Sequence, residues 1–301
     1  MSRALSFARD LSCSFKGYIE ICKPRVVLLM ILTSFVGMCL ATASFPPLKI
    51  IILANLGIGL AAASAAAVNH MADYRIDRLM SRTHNRPIAT GSVTFTEAML
   101  LSLVLGLSGM IILSVCINML TALLTFLSMI GYAGIYTFYL KHNTAQNIVI
   151  GGLAGAAPPL LGWVAVTNSV HFMPVILVLI IFFWTPPHFW ALAVDRIEDY
   201  KKTNVPMLPI TRGIPHTKKS MLVYTILLSI TTLIPVIMSY CNLLYLLGVI
   251  ALDAWFFFNV FRLYQDESNA NALKVFKGSI VYLMLLFVVL LLDHYMPIKL
   301  F

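Results

Sequence analysis

The sequence predicts an all-α membrane protein, a polytopic bundle of nine transmembrane helices, and three observations carry that prediction. The 301-residue chain is 60% apolar and 11% charged, with a mean hydropathy of +0.89, whereas soluble domains carry roughly a quarter charged residues. Nine apolar stretches reach the ~20 residues that cross ~30 Å of hydrocarbon as helix. Lys and Arg concentrate in alternate loops, as cytoplasmic loops do.

In chain order the spans are 25–44, 48–69, 97–117, 119–140, 148–166, 172–194, 220–239, 243–261 and 276–296. Residues 1–24 have scattered Arg and Lys but no short apolar core followed by a small-residue cleavage site. They read as a cytoplasmic segment, with span 1 as the insertion signal. With that end inside, inner segments hold 19 of the 21 Lys and Arg residues, and only Lys49 and Lys299 lie outside. Adding or dropping one helix would scramble the bias, so it supports the span count. No Arg- and Ser-rich presequence of useful length precedes span 1, which favours a bacterial inner membrane over a mitochondrial one. The net charge of +9 is therefore mostly topological, set beside anionic lipid. Nucleic-acid binding has no other support.

The connections are unequal. Outer ones are a few residues long, whereas inner loops 78–96 and 200–219 are long, basic and punctuated by Pro and Gly; such loops carry function. Each runs from an acidic pair through a basic stretch to a Pro–Gly turn, one after span 2 and one after span 6. That suggests two related helical halves and a ninth helix within a single membrane domain spanning 1–301. Cys13, Cys22, Cys39, Cys116 and Cys241 show no Cys-x-x-Cys spacing, so neither zinc nor a dithiol motif is indicated. A disulfide among Cys39, Cys116 and Cys241, near the outer face, stays open.

Charge placement points to the chemistry. Of 12 acidic residues in the chain, Asp73, Asp77, Asp195, Glu198 and Asp199 fall in two short windows where apolar runs end. Residues four apart share a helix face, so Asn69, Asp73 and Asp77 form one polar stripe below span 2, and Asp195 and Asp199 another below span 6. Four carboxylates facing lipid would cost on the order of 10 kcal/mol, so they should face the bundle interior. Converging there without compensation they would repel one another. Mg²⁺ resolves that conflict: it prefers oxygen ligands and takes one or two carboxylates plus phosphate oxygens. The two pairs thus suit a diphosphate held through Mg²⁺, with Arg75, Arg78, Arg82, Arg86, Lys201, Lys202 and Arg212 at hand for its free oxygens. In a membrane such a diphosphate is most economically that of a prenyl chain, whose allylic C–O bond the metal helps to ionise. Tyr74, Tyr200, Phe189 and Trp190 are candidates to stabilise the cation.

At these residues the chain resembles the UbiA superfamily of intramembrane prenyltransferases, whose two aspartate-rich motifs follow the second and sixth of nine helices. Asp73 to Pro87, Trp184-Thr185-Pro186-Pro187-His188-Phe189-Trp190 and Val205-Pro206-Met207-Leu208-Pro209 resemble more narrowly its protohaem IX farnesyltransferase branch. That resemblance implies farnesyl transfer from farnesyl diphosphate to a vinyl group of haem b, with water completing haem O. It implies Asp73, Asp77, Asp195 and Asp199 as catalytic, Mg²⁺-holding residues, Asn69, Arg78, Arg86 and Lys201 on diphosphate, and Lys201 as catalytic too. His70 stands where many relatives carry Asp.

Haem, as the implied acceptor, needs its own contacts. His188 follows a Pro-Pro pair that frees backbone carbonyls and opens a helix, and it is the first candidate, for the iron or a propionate. His70 is the second. Asp253 lies within span 8 with no partner evident, and an intramembrane acid is functional by default. Two other readings stay open: a UbiA enzyme with an aromatic or quinone-precursor acceptor, and a transporter or haem-handling assembly factor. Beyond farnesyl diphosphate, haem b and the bilayer, the expected partners are a haem A synthase or a terminal oxidase assembly.

Overall fold

The computed structural model describes residues 15–203 and 205–298, so Arg3, Arg9, Cys13 and Lys299 lie outside the described residues. Helix α1 (Phe15–Ile21) and α2 (Pro24–Leu40) meet at 50°. Lys23 causes the bend: it sits in the left-handed region at φ 50°, and Pro24 has no N–H with which to carry the helix through. There follow α3 (Leu48–Asp77), α4 (Phe95–Ile117), α5 (Met119–Asn143), α6 (Asn147–Thr167) and α7 (Phe172–Asp195). A five-residue α8 (Ile197–Lys201) precedes α9 (Ile214–Ile237), α10 (Leu243–Gln265) and α11 (Ala272–Tyr295). Among the described residues eight helices are each long and apolar enough to cross a membrane, and the bent α1–α2 pair, counted as one span, is a ninth. No strand occurs among the described residues.

Two helices bear the site. The 30 residues of α3 extend ~45 Å at 1.5 Å per residue, longer than ~30 Å of hydrocarbon, so Asp73 and Asp77 stand where the apolar environment ends. Helix α7 threads the core, and Trp190 joins Tyr245, Phe256, Tyr282 and Phe287 of α10 and α11 among the fully buried side chains. The Pro186–Pro187 pair does not open α7, contrary to the sequence expectation. The helix runs on through both prolines, and the Thr185 hydroxyl donates back to the Ile181 carbonyl at 2.7 Å.

Small residues set the close crossings, as is usual where lipid supplies no hydrophobic drive. A Cβ at Gly37 would overlap the Pro159 carbonyl, and one at Gly162 that of Ser34, so α2 and α6 touch backbone to backbone. The second half is pinned by two acids. Asp253 accepts from Thr232 Oγ1 (2.8 Å) and Tyr282 OH (2.5 Å), joining α9, α10 and α11; these are the partners the sequence does not reveal. Asp293 accepts the backbone N–H groups of Asn242 (2.7 Å) and Tyr245 (3.0 Å), capping α10 from a different helix. Cys22, Cys39, Cys116 and Cys241 are all free thiols.

Candidate active site

The last turns of α3 place Asn69, Asp73 and Asp77 in one buried column, at 3%, 4% and 4% exposure. Each has a partner from another part of the chain. The ammonium of Lys23, at the α1–α2 elbow, donates to Asn69 Oδ1, while Asn69 Nδ2 reaches Thr137 Oγ1 of α5 at 3.4 Å. Lys141, one turn further along α5, lies 2.6 Å from Asp73 Oδ2. Arg86 Nη1 bridges both Asp77 oxygens at 2.8 and 2.9 Å.

Local structure explains these reaches. Residues 130–140 of α5 are π-helical, a distortion common at functional sites, and the segment carries Thr137 and delivers Lys141. Arg86 is held by the turn after α3, where the buried Thr83 hydroxyl returns to the Asp77 carbonyl at 3.2 Å and Pro87 opens a one-turn helix, Pro87–Thr90. Three basic side chains, Lys23, Arg86 and Lys141, thus gather at two carboxylates. Basic groups gathered in a low-dielectric setting attract an anion.

The second acidic window behaves differently from its sequence expectation. Helix α7 ends at Asp195, and Arg196 (φ −106°, ψ 26°) turns the chain into α8. Asp195 and Asp199 therefore do not share one helix face. Asp195 is exposed and lies 3.1 Å from its neighbour Arg196, whereas Asp199 is buried and accepts Ser81 Oγ at 2.5 Å. Ser81, on the loop after α3, thereby ties the two windows together. Its hydroxyl, and more weakly Lys202 at 3.5 Å, hold the Asp199 carboxyl below its ordinary value.

The UbiA prenyltransferase family profile matches residues 30–291. The chain belongs to the UbiA prenyltransferase family. It is 53% identical to the protoheme IX farnesyltransferase of Saccharophagus degradans over 98% of each chain. Its fold is that of a digeranylgeranylglyceryl phosphate synthase, with a TM-score of 0.79 at 20% identity over 94% of this chain and 99% of the other. A UbiA homologue from Archaeoglobus fulgidus bound to DMAPP and Mg²⁺ superposes with a TM-score of 0.64 at 16% identity, over 91% and 99%. The protein is a multi-pass membrane protein of this UbiA class.

Whether the UbiA site of this chain suits a metal is answered by its donors. Asp73 Oδ1 is buried with no hydrogen-bond partner, an open oxygen ligand at the centre of the cluster. Among the described residues no three His, Cys, Asp or Glu gather as a metal site, so the fit to a metal rests on the Asp73 and Asp77 oxygens alone, and one or two carboxylates are the number Mg²⁺ takes when water and phosphate oxygens complete its shell.

The other expected residues divide. Lys201 lies 2.6 Å from Glu198, both exposed, because the two sit three apart on α8, so its ammonium is directed to that pair and not to the α3 column. Arg78 Nε donates to the Ala89 carbonyl at 3.0 Å, which fastens the loop carrying Arg86. Tyr74 is covered by Arg75 and Arg78, 5.6 and 5.7 Å from its ring, and with Val68, Met71, Phe95 and Phe138 it lines a separate groove. Trp190 packs edge-on to Tyr224 at 5.5 Å, and Phe189 is exposed. Tyr132 and Tyr136, on the π-helical stretch of α5 that also carries Thr137, stack on each other at 5.5 Å. His70 is buried beside Asn69 with Nδ1 unpartnered. His188 is sandwiched between Trp184 (4.3 Å) and Phe276 (4.6 Å), and its Nδ1 meets Ser279 Oγ at 2.6 Å.

Sequence reasoning misses Lys23, Ser81, Tyr132, Tyr136, Thr137 and Lys141 as site residues. Lys141 alone leaves a signal, as the single basic residue of an otherwise uncharged inner connection between spans 4 and 5.

Proposed function

We propose that the protein transfers the farnesyl group of farnesyl diphosphate to a vinyl group of haem b, giving haem O and diphosphate. The observation that carries the donor half is the buried α3 column, where an open Asp73 oxygen stands among three basic side chains. The acceptor half is supported by 53% identity, at nearly full length, to a protoheme IX farnesyltransferase and by the Thr185–Trp190 run.

Asp73 and Asp77, with Asp199 tied to the loop after α3 by Ser81, would hold Mg²⁺, which when bound supplies Lewis acidity to the leaving diphosphate. Lys23, Lys141 and Arg86 bind the diphosphate oxygens and neutralise the charge that grows there as the allylic C–O bond breaks. The electron pair leaves with diphosphate, and the faces of Tyr132 and Tyr136 stabilise the allylic cation. Its C1 bonds to the terminal vinyl carbon of haem. The cation left on the carbon beside the porphyrin takes up water, and one proton is released. Asn69 orients Lys23, and Arg78 and Ser81 fix the loop that carries Arg86.

Between the two histidines, His70 is better placed to meet the acceptor, since its Nδ1 is free whereas both faces of His188 are covered by aromatic rings. The excess of Lys and Arg at the acid-bearing end supports a cytoplasmic site in a bacterial inner membrane. Residues 1–301 act as one domain, and haem O passes to a haem A synthase or a terminal oxidase assembly. An acceptor competition tests the proposal: haem b and 4-hydroxybenzoate are offered together with farnesyl diphosphate and Mg²⁺. Farnesylation of haem alone is expected, and a farnesylated hydroxybenzoate would overturn the haem assignment.

A further inference from the structure

We propose that Lys141 and Arg86 are exchangeable counter-ions, held by Asp73 and Asp77 until Mg²⁺ and a prenyl diphosphate arrive, so that the site takes up the two ligands as a coupled unit. The inference rests on the donor half of the proposed function and assigns Lys141 a role that no motif in the chain marks.

The geometry is a set of occupied partners. Lys141 lies 2.6 Å from Asp73 Oδ2 and Arg86 2.8 Å from Asp77 Oδ1, and the four side chains are 16%, 6%, 19% and 5% exposed, in the order Lys141, Asp73, Arg86, Asp77. The groups that would ligate the metal are therefore bonded to the groups that would neutralise the diphosphate. Charges this buried need a partner at every stage, because an uncompensated one is far more costly than at a surface.

Charge counting then decides the order of events. With Lys23 protonated, Lys23, Lys141 and Arg86 against Asp73 and Asp77 put the α3 half of the site, before Asp199 of α8 is counted, at +1. A divalent cation alone would raise it to +3 and displace an ammonium and a guanidinium with nowhere buried to go. A diphosphate ester alone, with roughly three negative charges at neutral pH, would bring it to about −2 and meet carboxylates whose cations are engaged. Both together bring the cluster close to neutral. The carboxylates pass from the cations to the metal, and the cations pass from the carboxylates to the phosphates. No bond to carbon changes in this exchange, and each ion pair lost is replaced by another. Asp73 Oδ1, buried and unpartnered, offers the metal a first contact before Lys141 releases the other oxygen.

Reciprocity follows by linkage: the factor by which diphosphate tightens metal binding equals the factor by which metal tightens diphosphate binding. One consequence runs against the usual effect of deleting a site residue. Lys141→Gln removes the internal competitor for Asp73, so metal alone should bind more tightly than to the natural protein, while diphosphate binding and the coupling both weaken. Arg86→Gln should do the same through Asp77. Lys141→Arg keeps the charge and should keep the coupling.

The test is Mn²⁺ binding to the purified full chain in detergent, followed by electron paramagnetic resonance with and without farnesyl thiolodiphosphate, an analogue that resists ionisation. Free Mn²⁺–analogue complex is measured separately and subtracted. For the natural protein the analogue should tighten Mn²⁺ by at least about 10-fold, within the 5–150-fold range common for coupled sites. Lys141→Gln should bind Mn²⁺ alone more tightly than the natural protein and show a coupling several-fold smaller. Equal Mn²⁺ affinity with and without the analogue would overturn the exchange while leaving the diphosphate site standing. So would a Lys141→Gln protein that binds Mn²⁺ alone no more tightly, with Lys141→Arg behaving like the natural chain. Failure of the natural protein to bind Mn²⁺ under either condition would overturn the diphosphate reading and the exchange with it.

Discussion

Ser81 donates its hydroxyl to Asp199 at 2.5 Å across 118 residues of sequence, joining the loop after α3 to the short helix after α7. The contact holds the two acidic windows in one place although they belong to different halves of the chain. It also holds the Asp199 carboxyl below its ordinary value.

The Ser81→Ala variant should therefore let the Asp199 carboxyl rise toward the ordinary carboxylate range. A depressed carboxyl contributes stability above its unfolded pKa of about 3.9, and that contribution is lost as pH falls through the lower folded value. The variant should accordingly be less stable than the natural protein by about 1 kcal/mol at neutral pH, with the gap closing under acid. Thermal unfolding in detergent as a function of pH measures this. A gap that is unchanged from neutral to acid pH would show that Ser81 acts through packing alone.

Asp73 supplies the open oxygen at the centre of the cluster. Asp73→Ala should lower turnover by about 10²–10³-fold or more, the scale on which one electrostatic group at a reacting centre acts, while haem b still binds. Steady-state haem O formation and the haem Soret band report the two properties separately. Near-normal turnover in this variant would remove the donor site from α3.

The histidines should separate by readout. His188, stacked between Trp184 and Phe276 and bonded to Ser279, should behave as a packing residue. His188→Ala is expected to cost about 2–4 kcal/mol of stability, as buried large-to-small changes do, with a haem b affinity close to normal. His70→Ala, which removes a buried ring with an unpartnered nitrogen, should also cost stability but, unlike His188→Ala, should weaken or spectrally shift bound haem b. Haem titrations and thermal unfolding of the two variants check the assignment, and the reverse pattern would exchange their roles.

At the far end of the bundle, Asp293 caps α10 through the N–H groups of Asn242 and Tyr245. Asp293→Ala leaves those donors unmet and should destabilise the protein by about 1–3 kcal/mol. Asp293→Asn, which keeps an acceptor, should recover part of the loss. Differential scanning of both variants should show that order, with activity at permissive temperature retained.

The spans were legible because a bilayer imposes about 20 apolar residues on every crossing helix, and all nine fall where the apolar runs do. The α3 column was legible too, since Asn69, Asp73 and Asp77 keep helical spacing on an unbroken helix. The second window misled because nothing in Asp195-Arg196-Ile197 marks a break: neither Pro nor Gly is present, yet the chain leaves the helical region at Arg196. Pro186-Pro187 misled in the opposite sense, since α7 keeps its helical course through both prolines. Lys23, Ser81 and Lys141 were illegible for a simpler reason. Their partners, Asn69, Asp199 and Asp73 respectively, lie 46, 118 and 68 residues away, and periodicity within a segment carries no information about such pairs.

The most direct measurement is the mass of the product formed by the purified protein in detergent from haem b, farnesyl diphosphate and Mg²⁺. A haem bearing one farnesyl group and one added water, formed with release of one diphosphate and absent when Mg²⁺ is withheld, is the expected result. Unmodified haem b after prolonged incubation, under conditions in which a protoheme IX farnesyltransferase relative turns over, would contradict the proposed function.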